Sequence, residues 1–151
     1  MSLHQAIEDG KADEVASLIA GGANVNEANA AGASPLLVAA AAGNAAIVQA
    51  LLDAGADAQA TDSEGWNSLH IAGPYGHTEV VKALLAANVS VAHEDSSKNT
   101  PLHLCAAEGE KAVCELLKAA GASLSATNED GQTAAQMAQE EGHADTAALL
   151  S

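Results

Sequence analysis

Chemistry in a protein needs nucleophiles, bases or metal ligands at a workable spacing, and this chain holds few candidates. Its six histidines are His4, His70, His77, His93, His103 and His143, and its two cysteines are Cys105 and Cys114. Neutral imidazoles can act as general bases or metal ligands, and paired thiols can exchange electrons. None of these residues sits in a pattern that such chemistry requires. The chain has no G-x-S-x-G, no P-loop and no H-E-x-x-H. The cysteines do not form a C-x-x-C pair, which removes the zinc-ribbon and thioredoxin-type motifs. We therefore expect no catalytic residue, no metal site and no cofactor.

The charge balance narrows the partners. Twenty Asp and Glu face five Lys and no Arg, for a formal charge of −15. That field repels phosphates and anionic lipid and draws basic surfaces inward, so neither a nucleic acid nor a membrane is expected as partner. The longest uncharged run, from Ala28 to Leu52, is broken by Asn, Ser, Gly and Gln and is too polar to span a membrane. Residues Met1–Gln5 contain neither a basic n-region nor an apolar h-region, so they do not read as a secretory signal. A reducing cytoplasm is the expected compartment, with the nucleus as the other possibility. Apolar residues make up 48% of the chain, yet it has one Trp, one Tyr and no Phe. Leu, Val and Ala must fill the core, which suggests thin layers with small side chains between helices.

What positions these residues is a repeat. Leu3, Leu36, Leu69 and Leu102 recur every 33 residues, as do Gly10, Gly43, Gly76, Gly109 and Gly142. Leu18, Leu51, Leu84, Leu117 and Leu150 hold the same period. Gly32, Gly65 and Gly131 form another column, with Lys98 in its gap, and Gly22, Gly55, Asn88 and Gly121 form a fifth. Several columns sharing one period without an insertion indicate stacked structural units. Each unit reads as two helices and a turn. Thr100-Pro101 and Ser34-Pro35 open first helices, with Thr or Ser capping free N–H groups and Pro at the first helical position. The Gly109 column ends that helix in a left-handed conformation. Second helices carry apolar residues at helical spacing, as in Val80, Val81, Leu84 and Leu85. They end at the Gly22 column, where the single substitution, Asn88, is the other residue that tolerates positive φ.

On these residues the chain resembles the ankyrin-repeat family over its whole length. The family's T-P-L-H-x-A appears as Thr100-Pro101-Leu102-His103-Leu104-Cys105, and more loosely as Asn67-Ser68-Leu69-His70-Ile71-Ala72 and Ser34-Pro35-Leu36-Leu37-Val38-Ala39. Gly-His opens second helices at Gly76-His77 and Gly142-His143. The resemblance implies an all-α solenoid of helix-turn-helix units joined by β-hairpin loops. The units fall at 1–28, 29–61, 62–94, 95–127 and 128–151, in one domain. The first and last are expected to be capping repeats, and the array to be complete. The resemblance also gives His70 and His103 a structural role, bonding the turn backbone, and makes His77 and His143 structural. Cys105 takes the place of the signature Ala and is expected to face the core, with Cys114 nearby on the antiparallel helix.

Partners of this family bind mainly on a concave surface made by hairpin tips and the exposed side of first helices. Carried over by position, that surface holds Trp66, Asn99 and Gln132 at the hairpins. Late on the first helices it holds Glu8, Asp9, Tyr75, Glu108, Glu140 and Glu141. Both aromatic residues therefore fall in the middle repeat. That repeat is irregular, and Gly73-Pro74 is expected to end its first helix early and re-aim Tyr75. Summed by segment, the charge is −6 over 1–61, −3 over 62–94, −1 over 95–127 and −5 over 128–151. The expected function is a monomeric, non-enzymatic protein-binding module acting as adaptor, inhibitor or assembly factor. Its partner would be basic and partly apolar. A self-associating structural protein using the Ala-rich face of repeat two, Ala39–Ala42 with Ala45 and Ala46, is the alternative. The repeat itself is testable. Leu84→Ala, in a stacked leucine column, is expected to lower the free energy of urea unfolding by about 2–5 kcal/mol. A loss well under 1 kcal/mol, on the order of surface truncations, would place Leu84 outside the core.

Overall fold

The fold of residues 1–151 is described from a computed structural model. Ten helices follow one another and no strand occurs. They form five antiparallel pairs: α1 (Leu3–Glu8) with α2 (Ala12–Ala20), α3 (Pro35–Ala42) with α4 (Ala45–Asp53), α5 (Ser68–Ala72) with α6 (Thr78–Ala86), α7 (Pro101–Ala107) with α8 (Lys111–Ala119), and α9 (Ala134–Glu140) with α10 (Ala144–Leu150). First helices pack on first helices in the order α1, α3, α5, α7, α9, and second helices do the same behind them. The result is an all-α ankyrin solenoid.

The column residues explain this geometry. Leu36, Leu69 and Leu102 are wholly buried between first helices, and Leu51, Leu84 and Leu117 between second helices. Leu18, in the same column in the first unit, is only partly covered, whereas Leu150 in the last is buried. No helix exceeds nine residues. Isolated helices that short are unstable in water, so the stack must supply their stability. Gly10, Gly43, Gly76, Gly109 and Gly142 all take the left-handed conformation between paired helices, with φ from 68° to 84°. Asn88 takes it too, and Lys98 fills its column's gap at φ 60°. A non-Gly residue held there carries backbone strain of roughly 1–2 kcal/mol.

One expectation changes on contact with the structure. The connecting hairpins contain no strand. Each is closed by one cross-turn pair: Asn29 N–H to Ala33 O (2.9 Å), Asp62 to Trp66 (3.0 Å), Asp95 to Asn99 (2.9 Å) and Asn128 to Gln132 (3.0 Å). A ladder one rung long is a tight turn. The Asx side chain completes it: in Asp95, Oδ1 accepts from the N–H of Ser97 and of Asn99 at 2.9 and 2.8 Å. At Thr100 the cap is shared with His103 in a capping box: the Thr100 N–H donates to His103 Nδ1 at 3.1 Å, and the hydroxyl lies 2.9 Å from that nitrogen. Ser34 caps as well, accepting from Leu37 N–H at 3.4 Å.

The middle repeat ends its first helix early, as its sequence suggests. Helix α5 has five residues against eight in α3 and seven in α7. Gly73, however, does not loosen the turn. It keeps right-handed helical angles and donates to Leu69 O at 3.0 Å. A methyl group on its Cα would collide with Cys105 Sγ on α7 and lie 2.9 Å from Leu69 O. The missing side chain is what lets α5 and α7 approach. Ser68, at the position filled by Pro35 and Pro101 in the adjoining units, holds the one buried side-chain oxygen without a hydrogen-bond partner. Gly73→Ala is accordingly expected to destabilise the fold by about 1–3 kcal/mol through overpacking, read from chemical denaturation. A neutral or stabilising result would show that α5 and α7 can separate freely.

Candidate protein-binding surface

Histidines build the frame on which the surface rests. His70 and His103 are buried, and each gives its Nε2 proton to a backbone carbonyl of the next repeat: Asn99 O at 2.8 Å and Gln132 O at 2.9 Å. Their Nδ1 atoms accept from the N–H of Asn67 and Thr100. One ring thus ties a helix start to the following hairpin. His4 does the same toward Ala33 O at 3.2 Å. Its place in the 33-residue column with His70 and His103 was the signal for this role. His77 Nε2 reaches back to Ala41 O at 3.1 Å, and its ring lies over Gly43, where a Cβ would meet it at 2.6 Å. His143 covers Gly109 in the same way. His93 bonds Gly65 O at 2.9 Å and meets the His70 ring edge-on, 5.9 Å between centroids. With their rings committed to backbone and packing, these histidines are structural elements.

The cysteines are likewise interior. Both are free and fully buried. Burial pushes the Cys105 thiol well up, helped by the neighbouring Cys114. Burial, then Glu110 and Glu115, pushes the Cys114 thiol up to about 12. Such thiols stay protonated and act as small apolar fillers. No group of three or more His, Cys, Asp or Glu is arranged to hold a metal ion. No helix is long and apolar enough to cross a membrane.

An open cleft of about 470 Å³ runs across repeats two to four. Trp66 and Tyr75 both line it, together with Glu108, and the two aromatic residues are 36% and 67% exposed. Trp66 is anchored by its edge, since Nε1–H donates to Asp95 Oδ2 at 2.9 Å. Tyr75 leans on His77 with 5.6 Å between ring centroids. The floor is apolar: Ile71, Pro74, Leu104 and Ala107, with Ala41 at one end. A second hollow, about 440 Å³, continues from Ala41 and Ile71 over Val38 to Glu8. Val38, Ile71 and Leu104 occupy the variable place of the T-P-L-H-x-A signature, 33 residues apart. They were not among the residues expected from sequence, although three apolar side chains in that variable column were visible there.

The other residues of the expected surface lie outside the cleft. Asp9 is exposed and paired with Lys11 at 3.4 Å. Asn99 uses its Oδ1 to accept from Asn128 Nδ2 at 3.1 Å. Gln132 donates to Glu140 at 2.6 Å, which ties up both, and Glu141 is exposed just past the end of α9. The Ala-rich face of repeat two is thinner than its sequence suggests, because Ala39 and Ala40 are wholly buried in the core. Exposed alanines remain at 41, 42 and 46. No lysine lines the cleft, while Asp62 and Glu108 do.

A stack of five helix pairs, each packed on the next, defines a helical-repeat solenoid. Family comparison makes this specific. Residues 3–95 match a model of ankyrin repeats in three copies, and residues 97–129 match the single ankyrin repeat. The chain belongs to the ankyrin-repeat family, whose repeats are in general protein–protein interaction modules. Comparison with the curated proteins finds no match.

The buried imidazoles set a pH dependence. Burial is the largest influence on His70 and on His103 and holds both below the ordinary 6.5, against the raising effect of their bonds to Asn99 O and Gln132 O. The unfolded chain therefore binds these protons first as the pH falls. Their stabilisation is fully present above about 6.5 and is lost as the pH drops toward the folded values. The urea midpoint is expected to fall between about pH 7 and pH 5.5, and His103→Gln should flatten that fall. A wild-type midpoint constant over the window would mean the rings charge freely in the native fold.

Proposed function

We propose that this chain is a non-enzymatic protein–protein interaction module, an adaptor, inhibitor or assembly factor, that takes its partner on the concave face as a monomer. One observation carries the reading: the only Trp and the only Tyr of the chain line the same cleft, beside Asp62 and Glu108 and without a lysine. Trp and Tyr are enriched among residues that dominate binding energy, and such residues cluster near the centre of an interface. The cleft lies in the middle of the stack, on a floor of Ile71, Leu104 and Ala107 that a partner could desolvate. The partner's complementary surface would combine apolar and basic groups. The −15 charge would speed its approach and discourage nucleic acid. Two free thiols fit a reducing compartment, cytoplasmic or nuclear.

The test is a partner recovered by affinity capture on the full chain and then measured in purified form. Trp66→Ala with Tyr75→Ala is expected to weaken its affinity by at least about 2 kcal/mol, the scale of interface hot spots. Both side chains are exposed, so thermal unfolding should stay near that of the parent. Unchanged affinity for such a partner would move the binding surface elsewhere.

A further inference from the structure

The same cleft is specific about what could enter it. Resting on the proposed concave-face reading, we infer that it receives an arginine side chain projecting from the partner. Trp66 is held by its indole edge through Asp95, which leaves a ring face for stacking. Tyr75 stands across the same hollow, two-thirds exposed. At the walls are two carboxylates with oxygen to offer. Glu108 joins no ion pair, and Asp62 uses only Oδ1, accepting from the N–H groups of Glu64 and Trp66.

Rings and carboxylates together call for a flat cation. A guanidinium is planar and weakly hydrated, stacks on aromatic faces and donates through a fork that fits a carboxylate. Its aliphatic stem can lie along the apolar floor formed by Ile71 and Leu104. A lysine ammonium is a compact, strongly hydrated point charge and would leave the stacking faces unused. An acidic side chain would meet Asp62 and Glu108 with like charge. A neutral polar one would leave both carboxylates without a counter-charge.

Trp66, the only tryptophan, reports on its own site by fluorescence. Blocked tripeptides Gly-Arg-Gly, Gly-Lys-Gly and Gly-citrulline-Gly are titrated into the full chain at constant ionic strength. The arginine peptide is expected to change Trp66 emission saturably and to bind at least about fivefold tighter than the lysine peptide, with no response to citrulline. Glu108→Gln and Tyr75→Ala should each weaken the arginine response by about threefold or more. Glu115→Gln, exposed on α8 outside the cleft, should leave it unchanged. Equal affinity for arginine and lysine peptides would overturn the inference, since the net charge alone would then explain binding. So would an arginine response indifferent to Glu108 and Tyr75. If a protein partner depends on Trp66 and Tyr75 while the tripeptides are not distinguished, the arginine assignment fails and the concave-face reading stands. If the partner ignores both aromatics, that reading itself fails.

Discussion

The hydrogen bond from a buried imidazole to a backbone carbonyl of the next repeat is the interaction on which the stack depends. His70 and His103 make it at a sequence separation of 29 residues, and the half-buried His4 makes a bond of the same separation to Ala33 O. Each helix is too short to persist alone, and the leucine columns supply burial without fixing direction. The imidazole adds direction. With Nδ1 accepting from a helix N-terminus and Nε2 donating to a hairpin, two helix pairs are held at one spacing and one rotation. A buried neutral ring serves both bonds at once, whereas a charged ring would have two donors and no acceptor for the Asn67 or Thr100 N–H. The structure is therefore tied to the neutral form.

The cleft inherits its rigidity from that constraint. His70 fixes the Asn99 end of the third hairpin, Asp95 closes that hairpin through its own side chain, and the other oxygen of Asp95 holds Trp66 in place. A large aromatic side chain is thus oriented before any partner arrives, which reduces the ordering cost of association. The irregular segment beside it follows the same logic. Gly73 allows α5 to sit close to α7, and Pro74 and Tyr75, just past the shortened helix, both line the cleft. The uncompensated Ser68 hydroxyl marks the middle repeat as locally less well satisfied than its neighbours.

How much of this could be read from the residues follows from what each signal encodes. Repeats, paired helices, turn glycines and leucine core were legible because a fixed period superimposes five instances of one local solution. Asn88 in a glycine column even reported the backbone angle. Gly73 was legible as an irregularity but not as a packing requirement, because its neighbour Cys105 lies in another repeat. Of the residues expected at the surface, Trp66, Tyr75 and Glu108 line one cleft, and the apolar Ile71 and Leu104 beside them were not singled out, since the variable place of a signature invites neglect. Asn99, Gln132 and Glu140, also expected there, have side chains engaged with one another or with Asn128, a matter of pairing that spacing alone does not reveal.

The charge distribution sets stability against recognition. Only two carboxylates, Asp9 and Glu79, are paired with lysine, so most of the twenty acidic groups repel one another along an elongated stack. Mutual repulsion destabilises a compact state, and each repeat can offset it only through its own core and its contacts with adjacent units. The segment sums place most of that charge at the two ends, while the middle is left with apolar and aromatic surface. A basic partner seated centrally would reduce the repulsion from both sides while covering the apolar floor. In the proposed reading, binding and folding are therefore linked. A partner that recognises only the folded stack stabilises it by mass action, and most directly through the middle repeat, which holds the unsatisfied Ser68 hydroxyl.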